Sequence, residues 1–377
     1  MKKIKVMTVF GTRPEGIKMA PIIKVMENAS EIDNTICITA QHREMLDQVL
    51  NLFQIEPDYD LNIFKPGQSL TEITMKALEG LEKVILEVKP DVLLVQGDTS
   101  TVFAGALAAF YQKVKIGHVE AGLRSGNLYS PYPEEANRKL TGILTDFHFA
   151  PTETNKDNLL REGYSIEKIF ITGNTVIDAL QYSVKEDYSF QIPLLDNIDY
   201  KDKRIILLTS HRRENLGKPM ENIFSAINQI ALEYEDIEVV FPIHLNPKVR
   251  QIANKIFNGN RRVHLIEPLD YEPFTNLMAR SYLVVTDSGG LQEEAPSLGK
   301  PVLVVREETE RPEGIEAGTA KLVGTNYDNI LKEIDILLSN QKEYEKMANA
   351  VNPYGDGRAS ERIVDIILKH GFSKKQE

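Results

Sequence analysis

Three acidic residues follow apolar segments of the chain, and their side chains could exchange protons with a substrate. Asp98 comes after the segment 92–96, and Glu120 comes directly after the segment 115–119. Glu134 lies in a proline-rich loop further along. Each acid alone is typical of a helix cap or an ion pair, and two of them could also bind magnesium. As a set at one edge of a sheet, Asp98, Glu120 and Glu134 favour acid/base catalysis.

The turn 11–18 combines glycines with two cations, which is typical of an anion-binding loop. It joins a predicted strand to a predicted helix, so backbone N–H groups could approach a phosphate. It is not a P-loop, because Lys18 comes one residue late and Met19 stands where Ser or Thr would bind magnesium. ATP chemistry is therefore not expected. A tight turn with solvated Arg13 and Lys18 remains the alternative interpretation.

A second group of cations follows an apolar segment in the other half of the chain. His211, Arg212 and Arg213 come shortly after the segment 204–209. A lone histidine is usually structural, but a histidine beside two arginines at a strand end favours an anion clamp. Arg311 adds a further cation after the last predicted core strand.

A Ser-Gly-Gly turn supplies a second candidate phosphate site. Ser288, Gly289 and Gly290 lie between a predicted strand and a predicted helix, where backbone N–H groups could bind a phosphate. We place Glu293 and Glu294 in the first helical turn, where acids are favoured for structural reasons. A carboxylate there could also accept hydrogen bonds from a ribose.

Apolar segments alternate with amphipathic ones along most of the chain, which is typical of parallel sheets flanked by helices. In the first half, the predicted strands are 4–10, 35–40, 92–96, 115–119 and 169–172, and the predicted helices are 18–28, 44–53, 70–88 and 101–111. In the second half, the strands are 204–209, 238–243, 263–266, 283–287 and 301–305, and the helices are 221–234, 247–256, 274–279 and 359–369.

The polar segment 185–203 interrupts this pattern and is interpreted as an interdomain connection. We therefore expect an α/β protein with two Rossmann-like doubly wound domains facing a cleft, residues 1–184 and 204–351. A C-terminal helix and tail, 352–377, would pack back on the first domain. Ligands of such folds bind at the carboxyl ends of the strands.

Composition and charge exclude several classes of protein. The net charge of −11 argues against nucleic-acid binding, which needs a basic face. No apolar run reaches the roughly 20 residues that cross a bilayer. The apolar N-terminal stretch is too short for a signal peptide, so we expect a first strand and a cytoplasmic protein. The single cysteine, Cys37, excludes an internal disulfide and a cysteine-rich metal site, and we expect it to be buried.

The motifs together resemble those of the non-hydrolysing bacterial UDP-N-acetylglucosamine 2-epimerases. The resemblance covers nearly the whole chain, and the motifs occur in the family's order. They are GTRPEGIKMAP, QGDTSTVFAGALAAFY, GHVEAGLRS, YSPYPEEANR, SHRREN, DSGGLQEEAPSLGKPVLV and ERPEG.

This resemblance implies a glycosyltransferase-B-like architecture, with UDP mainly on the second domain. It implies that Asp98, Glu120 and Glu134 are the catalytic carboxylates, that His211 joins the catalytic set by acting on the diphosphate, and that Arg138 supports them nearby. It implies no cofactor and no metal. The UDP contacts that it implies are Arg13, Lys18, His211, Phe274, Ser288, Gly289, Gly290, Glu294 and Arg311.

The chain departs from the family pattern at a few positions. Leu269 stands where many members have a glutamine near the uracil, so that contact could use only backbone. Gln96 replaces a frequent histidine, which could alter the support around Asp98.

Some members of the family bind a second UDP-N-acetylglucosamine as an activator. Four residues match that pattern, whereas Glu44 and Gly67 replace a glutamine and an arginine of it. The matching residues are Gln41, His42, Arg212 and His244. Family members are usually homodimers, and the resemblance implies the same here.

The chemistry of such an enzyme has a specific requirement. The C2 proton of the sugar is not next to a carbonyl, so expulsion of UDP from C1 must acidify it. This gives 2-acetamidoglucal, and return of a proton to the opposite face with re-addition of UDP gives the manno isomer. The alternatives are a hydrolysing 2-epimerase, a UDP-sugar glycosyltransferase and a non-catalytic nucleotide-sugar sensor.

Overall fold

Two separate parallel sheets account for the alternating pattern of the sequence. The computed structural model describes residues 3–41 and 43–371, and they divide into two units at Tyr182 and Pro353. The first unit ends at Tyr182 and takes up the chain again from Tyr354, and the second unit is Ser183–Pro353. The predicted α/β class with two Rossmann-like units is confirmed.

Within the described residues, the first unit holds a seven-stranded parallel sheet flanked by helices. Apolar strands such as VLLVQ are buried throughout, as expected for a parallel sheet covered on both faces. The strands are β1 Ile4–Phe10, β2 Ile32–Ile38, β3 Tyr59–Asp60, β4 Val92–Gln96, β5 Lys115–Val119, β6 Phe147–Ala150 and β7 Ile169–Ile171. Its α-helices before residue 184 are α1 Arg13–Glu27, α2 Arg43–Phe53, α3 Leu70–Val88, α4 Ser100–Tyr111, α5 Glu134–Leu144, α6 Glu153–Arg161 and α7 Thr175–Ser183.

The second unit holds a six-stranded parallel sheet among its described residues. Its strands are β8 Arg204–Thr209, β9 Ile237–Pro242, β10 Val263–Ile266, β11 Leu283–Thr286, β12 Val302–Val304 and β13 Ala320–Leu322. Its helices are α8 Pro193–Asp196, α9 Lys218–Glu233, α10 Pro247–Phe257, α11 Tyr271–Arg280, α12 Gly289–Ser297, α13 Pro312–Glu316, α14 Tyr327–Ser339 and α15 Gln341–Ala348.

Strand order places the predicted site residues at the same kind of position in each sheet. The orders are β3-β2-β1-β4-β5-β6-β7 and β10-β9-β8-β11-β12-β13. The chain reverses its direction of winding between β1 and β4, and again between β8 and β11. Ligands of doubly wound sheets bind at the carboxyl ends of strands beside such a switch point. Asp98 lies in the turn after β4, His211 and Arg212 lie in the turn after β8, and Ser288 lies in the turn after β11.

Helix α1 begins at Arg13, five residues before the predicted start at Lys18. Thr12 and Glu15 form a capping box, and Pro14 stands in the first turn, where its missing N–H costs nothing. The cations of the turn 11–18 therefore lie on a helix rather than on a loop. Strand β2 likewise begins at Ile32 rather than at residue 35, and the prediction missed this start because Asp33 and Asn34 are polar and not buried.

The C-terminal part of the chain returns to the first unit. Helix α16, Ala359–His370, contacts α1, and buried Asp178 accepts hydrogen bonds from the backbone of Ala359 and Ser360. The predicted connection 185–203 packs on the second unit, where the Arg280 guanidinium lies over the rings of Phe190 and Tyr200. Cys37 is buried, as expected. No helix among the described residues is long and apolar enough to span a bilayer.

Candidate active site

The turn after β1 is organised by a carboxylate that sequence reasoning did not select. Glu15 is 2% exposed, and its Oε2 accepts hydrogen bonds from the backbone N–H groups of Gly11 and Thr12 at 2.7 and 2.8 Å. The Thr99 hydroxyl donates to its other oxygen. Burial raises the pKa of Glu15 despite these donors. Gly11 is required here, because a Cβ would lie 2.0 Å from the Thr39 hydroxyl oxygen.

Lys18, Asn174 and Gln96 are among the side chains that hold Glu120 at the carboxyl end of β5. The Lys18 ammonium lies 2.6 and 2.7 Å from its two oxygens. Asn174 donates to Oε1 at 3.0 Å, and Gln96 donates to Oε2. Lys18 thus contacts a predicted catalytic carboxylate, and Gln96 supports Glu120 rather than Asp98.

The backbone of Glu120 adds a further constraint. Its φ is +65°, in the left-handed region, which costs a non-glycine residue about 1–2 kcal/mol. Strain of this size persists only where the surrounding contacts over-determine the conformation, and such residues cluster at functional sites.

The Asp98 carboxylate is bound by Arg138 of helix α5. Arg138 donates from Nε and Nη2 to Asp98 Oδ2 at 2.9 and 2.7 Å. Asn137 donates to the Asp98 carbonyl oxygen at 2.9 Å. The Asp98 side chain remains 27% exposed, so this carboxylate is both fixed and accessible.

Glu134 differs from the other two predicted catalytic acids. It is the first residue of α5 and is half-buried. Its Oε2 is shielded from solvent and has no hydrogen-bond partner among the described residues. A buried carboxylate oxygen without a donor is costly, and a substrate hydroxyl or amide would satisfy it.

Two buried histidines lie side by side beneath the Glu120 turn. His118 on β5 pairs in register with His148 on β6. The His118 Nε2 lies 2.7 Å from the Gly97 carbonyl oxygen, and burial lowers the pKa of His118 to about 4. The His148 ring nitrogens have no hydrogen-bond partner among the described residues, and burial lowers the pKa of His148 to about 3.

His148 should therefore make the fold sensitive to acid. Its folded pKa is about 3 and its ordinary value is 6.5, so the unfolded chain takes up the proton first and stability is lost as the pH falls below 6.5. Between about pH 8 and about pH 5, this linkage lowers the free energy of unfolding by about 2 kcal/mol. Urea unfolding of the His148→Phe variant at both pH values should show a smaller loss than the wild type by that amount. Equal losses of unfolding free energy in the two proteins would show that His148 does not cause the acid sensitivity.

In the second unit, buried Asp287 organises the turn after β8. Its Oδ2 accepts hydrogen bonds from the backbone N–H groups of His211 and Arg212, both at 2.9 Å. The Ser210 hydroxyl and the Asn215 amide donate to the same oxygen, both at 3.0 Å. The sequence motif contains Asp287, but this role was not predicted from it.

The His211 imidazole is the exposed part of this turn. Its Nδ1 lies 3.3 Å from Asp287 Oδ1, at ion-pair distance, although the geometry is not that of a hydrogen bond. Burial lowers the pKa of His211, opposed by the charge of Asp287. The side chain is 41% exposed, so the imidazole is accessible to an anion.

The Ser-Gly-Gly turn lies close to Arg311. Ser288 is the N-cap of α12, and Gly289 and Gly290 are its first residues. A Cβ on Gly289 would lie 4.0 Å from the Arg311 guanidinium carbon, and one on Gly290 would lie 3.3 Å from Glu294 Oε1. These five predicted residues therefore come together within the second unit, and Phe274 is half-buried on α11.

The expected position of two glutamates in α12 is wrong. Helix α12 begins at Gly289, so Glu293 and Glu294 lie in its second turn, and its first turn contains no acid. Favourable interaction with the helix N-terminus therefore does not explain them. Glu293 instead forms an ion pair with Arg311.

The predicted activator residues fall in different parts of the chain. In the first unit, Gln41 accepts a hydrogen bond from the Thr101 hydroxyl at 3.2 Å. His42 lies outside the described residues. In the second unit, the His244 ring stacks on the His211 ring with centroids 5.5 Å apart, and Arg212 donates to the Asp287 carbonyl oxygen at 3.2 Å.

A glycosyltransferase-B-like pair of α/β units, with acids and cations at the strand ends, is the class that this fold and site define. The family model described as UDP-N-acetylglucosamine 2-epimerase matches residues 24–368. The chain therefore belongs to the UDP-N-acetylglucosamine 2-epimerase family, as its motifs predicted, and the predicted enzyme class is confirmed with it.

Individual relatives match over nearly their full length. The UDP-N-acetylglucosamine 2-epimerase of Bacillus subtilis is 58% identical over 377 residues, which covers 100% of this chain and 98% of that protein. The Neisseria meningitidis enzyme, crystallised with UDP-GlcNAc bound, has a TM-score of 0.86 and 53% identity, with 97% and 100% of the two chains covered. The S. aureus protein MnaA, in a co-structure with UDP, has a TM-score of 0.86 and 52% identity, with 100% and 99% covered.

Proposed function

We propose that this enzyme interconverts UDP-N-acetylglucosamine and UDP-N-acetylmannosamine by eliminating and re-adding UDP. The observation that supports the proposal best is the pair of acids at the ends of β4 and β5. Each of the two carboxylates is held by its own cation, Asp98 by Arg138 and Glu120 by Lys18. Such pairs orient the carboxylates, and epimerisation needs acid/base groups on both faces of C2.

The elimination balances without a cofactor. The C1–O bond breaks, and its electron pair leaves with the diphosphate of UDP. The C2–H bond supplies the electrons of the new C1=C2 double bond, and its proton passes to a carboxylate. Proton delivery to the opposite face of C2, with UDP adding back at C1, then forms the manno isomer.

Expulsion of UDP requires stabilisation of the departing negative charge. Arg13 and Lys18 of the first unit, and His211 and Arg311 of the second unit, are proposed to interact with the diphosphate. The Ser-Gly-Gly turn offers backbone N–H groups to the same anion. Phe274 and Glu294 are proposed to contact the nucleoside. Asp98, Glu120 and Glu134 are proposed to act on the sugar.

Substitution of Arg13 tests UDP binding without removing a group proposed to transfer protons. It is half-buried in the first turn of α1 and forms no hydrogen bond or ion pair with the other described residues. The Arg13→Ala variant should bind UDP about 10- to 100-fold more weakly, because it loses charge-assisted hydrogen bonds. Calorimetric titration with UDP measures this, with Arg161→Ala on the exposed end of α6 as the control. Unchanged affinity of Arg13→Ala would count against its role.

Further parts of the proposal rest on the motif resemblance. They are a homodimer, a cytoplasmic location, a role in supplying the manno sugar for cell-surface polysaccharides, and activation by a second UDP-N-acetylglucosamine. The residues proposed for activation are Gln41, His42, Arg212 and His244.

Identification of the products tests the function against its alternatives. The protein is incubated with UDP-N-acetylglucosamine and followed by ³¹P and proton NMR. We expect UDP-N-acetylmannosamine to build up to equilibrium with the diphosphate intact. Accumulation of free UDP and N-acetylmannosamine would instead indicate the hydrolysing enzyme. Transfer of the sugar to an acceptor would indicate a glycosyltransferase, and an unchanged spectrum would indicate a sensor.

A further inference from the structure

Glu135 is a fully buried carboxylate to which the proposed mechanism gives no role. Its exposure is 0%, although it follows directly after the predicted catalytic residue Glu134. A buried charge is tolerated only when it is paired and hydrogen-bonded. The groups that hydrogen-bond to the Glu135 carboxylate therefore indicate its role.

Two backbone groups and one side chain surround the Glu135 carboxylate. The N–H groups of Ser125 and Gly126 donate to its two oxygens at 3.0 and 3.2 Å. Arg138, one helical turn later on α5, donates from Nη1 to Oε2 at 3.1 Å. Because the backbone groups belong to the loop before α5, they fix the carboxylate independently of the arginine.

Arg138 connects this fixed carboxylate to Asp98. Its guanidinium is planar and rigid, and a bond at Nη1 therefore sets the direction of the other nitrogens. Nε and Nη2 both point at Asp98 Oδ2. Asp98 Oδ1 has no hydrogen bond to any described residue, so this arrangement presents one oxygen of Asp98 for proton transfer.

We propose that Glu135 is a positioning residue that aligns Asp98 through Arg138. The inference rests on the proposed function, because it assigns Asp98 to the reaction. Glu135 itself does not touch the substrate. Its loss leaves the UDP-binding groups in place but lets the Arg138 fork rotate, and Asp98 then spends less time in its reactive orientation.

The test is a kinetic comparison of Glu135→Gln with the wild type. Glutamine keeps an acceptor oxygen for one of the two backbone N–H groups and removes the charge that holds Arg138. We expect kcat to fall about 100-fold, the cost of a small misplacement of a catalytic group, with little change in KM. The same substitution in the Asp98→Asn background should lower kcat further by less than about twofold, because residues that act as a unit are non-additive.

A control separates positioning from general stability. Glu162 also forms an ion pair with an arginine of the first unit, Arg124, at 2.7 Å, and Glu162→Gln should retain wild-type kcat. If Glu135→Gln does not fold, Glu135→Asp keeps the charge with a shorter side chain and should show the same selective loss of kcat. The positioning role of Glu135 would be overturned if Glu135→Gln lowered kcat by the same factor in the wild-type and Asp98→Asn backgrounds. Normal kcat in a folded Glu135 variant would overturn it too. Neither result would affect the proposed function. A wild-type protein without C2 epimerisation would overturn the proposed function as well.

Discussion

An Asp98→Asn variant should epimerise about 10²- to 10⁴-fold more slowly than the wild type, the usual range for loss of a general acid or base. A carboxamide cannot accept the C2 proton, but its oxygen can still accept the two hydrogen bonds from Arg138. The variant should therefore fold and bind UDP normally. Initial rates measure the loss of kcat, and calorimetry measures the retained affinity for UDP.

Asp356 offers a matched control for this substitution. It forms a two-point ion pair with Arg362 at 2.6 and 2.8 Å, in the same unit as Asp98. The Asp356→Asn variant should keep wild-type kcat. Near-normal turnover in Asp98→Asn, or a comparable loss in Asp356→Asn, would show that Asp98 does not transfer the proton.

Glu120→Gln should lower kcat by at least about 100-fold, also with UDP binding retained. The side chain keeps its length, and the strained φ of +65° is no harder for glutamine than for glutamate. The substitution removes the negative charge opposite Lys18 and the capacity to take a proton. Stopped assays of the manno isomer measure the rate, and thermal unfolding verifies the fold.

Glu27 supplies the corresponding control. It forms an ion pair with Lys24, and both residues lie on α1, the helix that contains Lys18. Glu27→Gln should turn over normally. If Glu120→Gln retained most of its activity, Glu120 and Lys18 would be a structural pair, and the catalytic set would have to be reassigned.

Local patterns were sufficient to predict where the main elements and acids lie. The segment 70–88 was predicted with the bounds that α3 has, because its apolar residues recur at helical spacing. Asp98 and Glu120 were predicted at strand ends because buried apolar segments stop just before them. Strand β6 was not predicted, because His148 interrupts its apolar run.

The partners of the site residues could not be predicted in the same way. Lys18 and Glu120 are 102 positions apart, and Arg138 and Asp98 are 40 apart. Their contacts depend on strand order, which no local pattern contains. Glu15 is an exception, because Thr12 and Glu15 have the spacing of a capping box. That signal would have predicted both the start of α1 and the partner of the Gly11 turn.

In the proposed mechanism, a proton leaves C2 to a protein carboxylate and a different proton returns. The most direct measurement is proton NMR of UDP-N-acetylglucosamine incubated with the enzyme in D₂O. Elimination and re-addition predict that the UDP-N-acetylmannosamine formed carries deuterium at C2, with the H2 signal lost and the H1 coupling simplified. Product that retains protium at C2 from the first turnover would rule out this mechanism, since inversion would then have occurred without proton exchange at that carbon.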